Sequence, residues 1–126
     1  MAFVLLVVED DDDVREALGV LLEFEGHEVA CARNGRDALG QLQAGLRPSL
    51  IILDLAMPVM GGVEFRRCQR ADPALAHIPV IVLSCTDDIL EQAQRLGALA
   101  CLRKPLSLNR LAELVAAHAG PHPIPR

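Results

Sequence analysis

Polar residues stand where four apolar runs end, and their types are those of phosphoryl chemistry. Leu50-Ile51-Ile52-Leu53 leads into Asp54, then into Leu55-Ala56-Met57-Pro58. Residues 3–8 lead into Glu9 and Asp10, residues 79–83 into Ser84, and residues 99–102 run up to Lys104-Pro105. Clustered carboxylates cannot all stay ionised cheaply unless a hard divalent cation sits among them, and Mg²⁺ favours one or two carboxylates, a carbonyl and several waters. An aspartate beside that ion, with an ammonium and a hydroxyl in reach, is equipped to attack phosphorus. Asp54 would become an aspartyl phosphate, metal and Lys104 would neutralise the transferring group, and Ser84 would hydrogen-bond a phosphoryl oxygen.

Those residues meet only if the elements carrying them are strands of one sheet. Residues 3–8, 50–54 and 79–84 are continuous apolar runs, the pattern of strands buried on both faces. Residues 27–32 and 99–102 read as shorter strands. Between them the period changes to three and four residues. Val14, Leu18, Leu21, Leu22 and Phe24 mark a first helix that Asp11, Asp12 and Asp13 cap and Gly26 stops. Further helices are expected over residues 36–45, over 63–70 after a flexible Gly61-Gly62 loop, and over 87–96 up to Gly97. The last spans 108–119, with Leu108, Leu111, Leu114, Val115 and His118 on its apolar face. Fivefold alternation gives an α/β fold with a parallel sheet, whose functional edge is the rim at the carboxyl ends of the strands. Residues 120–126, rich in proline, read as a stiff tail or the start of a linker after a domain spanning 1–119.

Composition narrows the class. At 126 residues and 52% hydrophobic, the chain is one ordered domain, and without Trp or Tyr its core must be aliphatic. A net charge of −5 without a basic run argues against nucleic acid as a direct partner. Cys31, Cys68, Cys85 and Cys101 have no metal or redox spacing and read as small reduced core residues. The histidines are dispersed and read as surface or loop residues. The apolar start is too short for a signal peptide or a membrane span, which points to the cytoplasm.

Val7-Val8-Glu9-Asp10, Asp54 with Met57-Pro58 and Met60-Gly61-Gly62, Val82-Leu83-Ser84, and Lys104-Pro105 stand in an order that resembles the receiver domain of bacterial two-component response regulators, chemotaxis regulators included. The resemblance covers the chain to about Ala119. It implies a flavodoxin-like, doubly wound, five-stranded parallel sheet in order 2-1-3-4-5 with five helices. It implies phosphorylation of Asp54 by a partner histidine kinase or phosphotransfer protein, with Ser84 and Lys104 holding the phosphoryl group. Asp10, Asp54 and the carbonyl of Ala56 would bind Mg²⁺ directly, and Glu9 through a water. Such a domain is a switch that assists its own phosphorylation and dephosphorylation rather than an enzyme. Its output face, formed by the fourth helix, fifth strand and last helix, would change its affinity for a partner or for a second copy.

The chain departs from the family pattern at three places. Cys101 stands where an aromatic residue usually rotates during switching, which leaves backbone and helix shifts to do that work. Cys85 replaces the usual alanine or glycine after Ser84, and Ala56 and Thr86 flank the site with small side chains. Three site residues also have a plainer reading: Ser84 as a turn cap, Glu9 as an ordinary acid before a helix, Lys104 as a surface charge. Two rivals remain. A phosphatase of the haloacid dehalogenase type would need an aspartate where Ala56 stands. A silent interaction module would keep the fold and bind no Mg²⁺ near millimolar concentration.

Overall fold

Strands and helices alternate from one end of the chain to the other: β1 (Val4–Val8), α1 (Asp12–Phe24), β2 (Glu28–Ala32), α2 (Gly35–Gln43), β3 (Leu50–Asp54), α3 (Gly62–Ala71), β4 (Val80–Ser84), α4 (Ile89–Leu96), β5 (Ala100–Arg103) and α5 (Leu108–Ala119). The structure, a computed structural model, describes residues 4–86 and 88–119. All pairings are parallel and the order is β2-β1-β3-β4-β5, as the resemblance implies. The expected tail at 120–126, and the expected helix start at Asp87, lie outside the described residues.

Side chains alternate across the pleat, so each central strand feeds two cores. Leu5, Val7, Leu50, Ile52, Ile81 and Leu83 pack with Leu18 and Leu22 of α1 and Leu111 and Val115 of α5. On the opposite face Leu6, Val8, Ile51, Leu53, Val80 and Val82 meet Ala38, Leu42 and Phe65 of α2 and α3. Strands covered on both sides have no room for polar residues until they end, which is why the site can form only at the rim.

Local signals set the helix ends. Asp11 caps α1 by accepting from the backbone N–H groups of Asp13 and Val14, at 2.9 and 3.0 Å, and Gly26 leaves the helix with φ +97°. Asn34 caps α2 through Asp37 N at 2.9 Å. On α3, Arg66 and Gln69 are buried beside Phe65, so this helix turns polar as well as apolar side chains inward. Gln69 donates to the carbonyls of Leu75 and Ile78, at 2.9 and 3.0 Å, and so holds the loop that leads into β4.

Several expectations change. Phe24 is 85% exposed, because two residues beyond Leu22 a helix has turned to its opposite side. Leu108 and His118 are exposed, because the 12-residue α5 runs past both ends of the core it covers. The cysteines are free and none is fully buried: Cys31 and Cys85 are exposed and Cys68 and Cys101 half-buried, and of these Cys101 packs against the core. β5 begins one residue later than expected, since Ile81 pairs with Ala100. Gly61-Gly62 is no flexible loop. A Cβ on Gly62 would stand 2.6 Å from the Asp54 carbonyl, so glycine there lets α3 start hard against the end of β3. Among the described residues no helix is long and apolar enough to cross a membrane.

Candidate functional site

Strand register assembles the cleft. Val8 pairs with Leu53, so Glu9 and Asp54, each one residue further on, emerge level with each other. Asp54 pairs with Leu83, which puts Ser84 one step beyond it on the neighbouring strand. Ser84 pairs with Arg103, and the Lys104 N–H donates to the Ser84 carbonyl at 2.8 Å. That bond turns the next residue back across the rim. Lys104, the only lysine in the chain, reaches Glu9 Oε1 at 3.0 Å and Asp54 Oδ1 at 3.3 Å.

Two of the three carboxylates are buried: Glu9 is 0% and Asp54 1% exposed, while Asp10 faces solvent. Burial, then the hydrogen bond and charge of Glu9, push the Asp54 carboxyl up to about 7, and the charge and hydrogen bond of Lys104 only partly oppose this. Burial works against the Lys104 ammonium, but the Glu9 hydrogen bond and the two carboxylates prevail and hold its pKa above the ordinary lysine value. Arg15 steadies the approach: it donates to the Glu9 carbonyl at 2.9 Å and pairs with Asp12.

Glu9, Asp10 and Asp54 each present one carboxylate oxygen within 4.8 Å of the others. Opposite ligands of an octahedral Mg²⁺ are about 4.2 Å apart, so an all-oxygen set at this spacing fits such an ion. With three carboxylates against one ammonium, the charge balance fits it too. Ala56 lies two residues past Asp54, its N–H 3.4 Å from Asp54 Oδ1, which keeps its backbone at the cleft.

Ser84 is at the rim and buried, yet its hydroxyl is turned to other partners. Ser84 Oγ lies 3.0 Å from Thr86 Oγ1, donates to Gln92 Oε1 at 3.0 Å, and accepts from the Thr86 N–H at 3.2 Å. Gln92 belongs to α4, so the hydroxyl ties the end of β4 to that helix. A pocket of about 250 Å³, lined by Leu55, Ala56, Val63, Ser84, Cys85, Thr86 and Gln92, opens beside it. No local pattern pointed to Gln92, which is eight residues from Ser84 and on a different element. Nor did any mark Glu9 as the closest partner of Lys104; the only hint was its place directly after a buried strand.

Comparison with known proteins identifies the family. A family model described as "Response regulator receiver domain" matches residues 5–116. A response regulator receiver protein of Anaeromyxobacter sp. is 42% identical over 110 residues, covering 86% of this chain and 45% of that protein. The chain spans about half or less of the length of the curated relatives it matches. Among solved structures, the chemotaxis response regulator CheY4 of Vibrio cholerae superposes with a TM-score of 0.84 at 28% identity, covering 93% of this chain and 98% of that one. The Mn²⁺-bound form of response regulator Rcp1 gives 0.82 at 26% identity, covering 98% and 99%.

Proposed function

The chain belongs to the response regulator receiver family, and on that footing we propose that it accepts a phosphoryl group on Asp54 from a sensor histidine kinase or phosphotransfer protein and so switches its protein contacts. Membership places it in phosphorelay signalling. The observation that carries the rest is the Asp54 carboxylate, buried at the rim with the single lysine 3.3 Å away and two more carboxylates in reach.

Asp54 acts as the nucleophile. A carboxylate oxygen forms the O–P bond while the P–N bond of the donor phosphohistidine breaks, and the departing imidazole keeps the electron pair and takes up a proton. Lys104, poised between Glu9 and Asp54, shifts its charge onto the phosphoryl oxygens. Asp10, Asp54 and the Ala56 carbonyl would hold Mg²⁺, with Glu9 acting through a water, and the bound ion would supply further positive charge to those oxygens. The metal-bound form of Rcp1 supports a divalent ion in this fold. An apolar groove of about 310 Å³ beside Lys104, lined by Val14, Ala17, Leu18, Pro105, Leu106 and Leu108, gives the phosphodonor a surface next to the nucleophile.

Read-out starts at Ser84. To hydrogen-bond a phosphoryl oxygen its hydroxyl must leave Gln92, which releases α4 from β4. No ring at Cys101 is needed for that, and the face formed by α4, β5 and α5 then changes its affinity for a partner or for a second copy. The domain is thus a phosphoacceptor switch that assists its own phosphorylation and dephosphorylation.

The test is labelling by acetyl phosphate with Mg²⁺, followed by intact mass. The unaltered chain gains one phosphoryl group, and Asp54→Asn gains none. Full labelling of that variant would overturn the assignment.

A further inference from the structure

A second charged region lies along α3 and α4, and Val63 lines both it and the pocket beside Ser84. A groove of about 310 Å³ runs between α3 and the C-terminal end of α4, with Arg66, Arg67, Arg70 and Arg95 around Val63 and Leu96. The chain carries a net charge of −5, yet four of its eleven arginines converge there.

Arg66 is explained by the fold. It is 6% exposed and donates to the Leu96 carbonyl at 2.9 Å, the Gly97 carbonyl at 3.2 Å and Gln69 Oε1 at 2.8 Å, which caps the end of α4. Those acceptors are neutral, so its charge has no counter-ion, and three bonds use three of the five N–H donors of a guanidinium. The other arginines are not explained this way. Arg70 stands beside Arg66, the two guanidinium groups lying 3.5 and 3.7 Å from the point a Gly97 Cβ would occupy. Burial, and then the charge of Arg70, lower the pKa of Arg66, as expected of like charges held together. Among the described residues, Arg95 has only an exposed 3.5 Å pair with Glu91, a contact of little worth in water. Among the described residues, neither Arg67 nor Arg70 has a carboxylate within 4 Å.

Positive charge left unbalanced against an apolar wall favours an anion, and guanidinium forks match the oxygens of phosphate in pairs. The volume lies at the small end of small-molecule pockets and suits a compact ligand rather than a protein segment. Forks that converge from two helices suit adjacent charged groups better than one. We propose that this groove binds a small polyanion bearing phosphate groups, with Arg66, Arg67, Arg70 and Arg95 as its donors. The ligand would bridge α3 to the end of α4, the helix that Ser84 grips from its other end.

The test titrates inorganic pyrophosphate into the isotopically labelled chain with a chelator present, so that no divalent ion occupies the acidic rim. The expected result is a saturable shift of the amides of α3 and of residues 95–98. Arg67→Ala with Arg70→Ala should weaken binding about tenfold or more, the scale of losing charge-assisted hydrogen bonds. Arg36→Ala with Arg110→Ala, the same change in charge at exposed positions elsewhere, should leave it unchanged. No saturable shift at millimolar pyrophosphate, equal weakening in both double variants, or equally tight binding of citrate would overturn the proposal.

Discussion

The two halves of the rim are built from opposite materials. Where β1 and β3 end, Glu9, Asp10, Asp54 and Lys104 crowd ionisable groups together, and register leaves them no alternative. Where β4 ends, neutral hydrogen bonds join Ser84, Thr86 and Gln92, and Thr86 also donates to the exposed carboxylate of Asp88 at 2.6 Å. Buried charges are costly to separate, whereas neutral hydrogen bonds trade partners for little net energy. The first half therefore suits chemistry that needs fixed groups, and the second suits a link that must let go. Asp54 lies at the boundary, with Ser84 one step away on the adjoining strand.

The contrast can be broken from the charged side first. Lys104→Ala leaves Glu9 and Asp54 buried without their cation and should cost about 3–5 kcal/mol in urea unfolding. Adding Glu9→Gln should recover a large part of that loss, and a double-mutant cycle that shows no coupling would remove the charged half from the comparison.

Asp54→Asn should act in the opposite sense and stabilise the cation-free fold by about 1–3 kcal/mol at pH 7–8. Its carboxyl is raised from 3.8 to about 7, so the unfolded chain gives up the proton near pH 4 while the folded chain retains it to about pH 7. Stability of the unaltered chain is therefore lost as pH rises across that window. The gain in the variant should vanish on acidification towards pH 4 and shrink when Mg²⁺ is added to the unaltered chain. Urea midpoints at several pH values measure this, and a gain that grows towards acid would contradict it.

Gln92→Leu is the mildest change and tests the neutral half. It should cost about 1 kcal/mol and speed hydrogen exchange in α4, while the rate of labelling by acetyl phosphate stays within about twofold. A large fall in that rate would mean that the network serves the chemistry as well as the read-out.

Strand ends and helix caps were legible in the residues because they follow from local rules. Short β-branched apolar runs that stop at an acid, a hydroxyl or a lysine fit buried strands with polar tips, and parallel order brings those tips to one edge. Asp54, Asp10, Glu9, Ser84 and Lys104 were placed at the rim by that argument, and the sheet order came through the resemblance. Gly61-Gly62 was misread because glycine signals both flexibility and close approach. Only the packed structure shows a Cβ meeting the Asp54 carbonyl.

The chain by itself determined which side chains reach the rim, since backbone periodicity and the limit on buried charge act within single segments. Tertiary structure alone decided which of them touch: that Glu9 is the nearer partner of Lys104, that Ser84 grips Gln92, and that four arginines from two helices share one groove. Those contacts depend on how far apart and at what angle separate elements pack. Distance between elements is written into no short stretch of sequence.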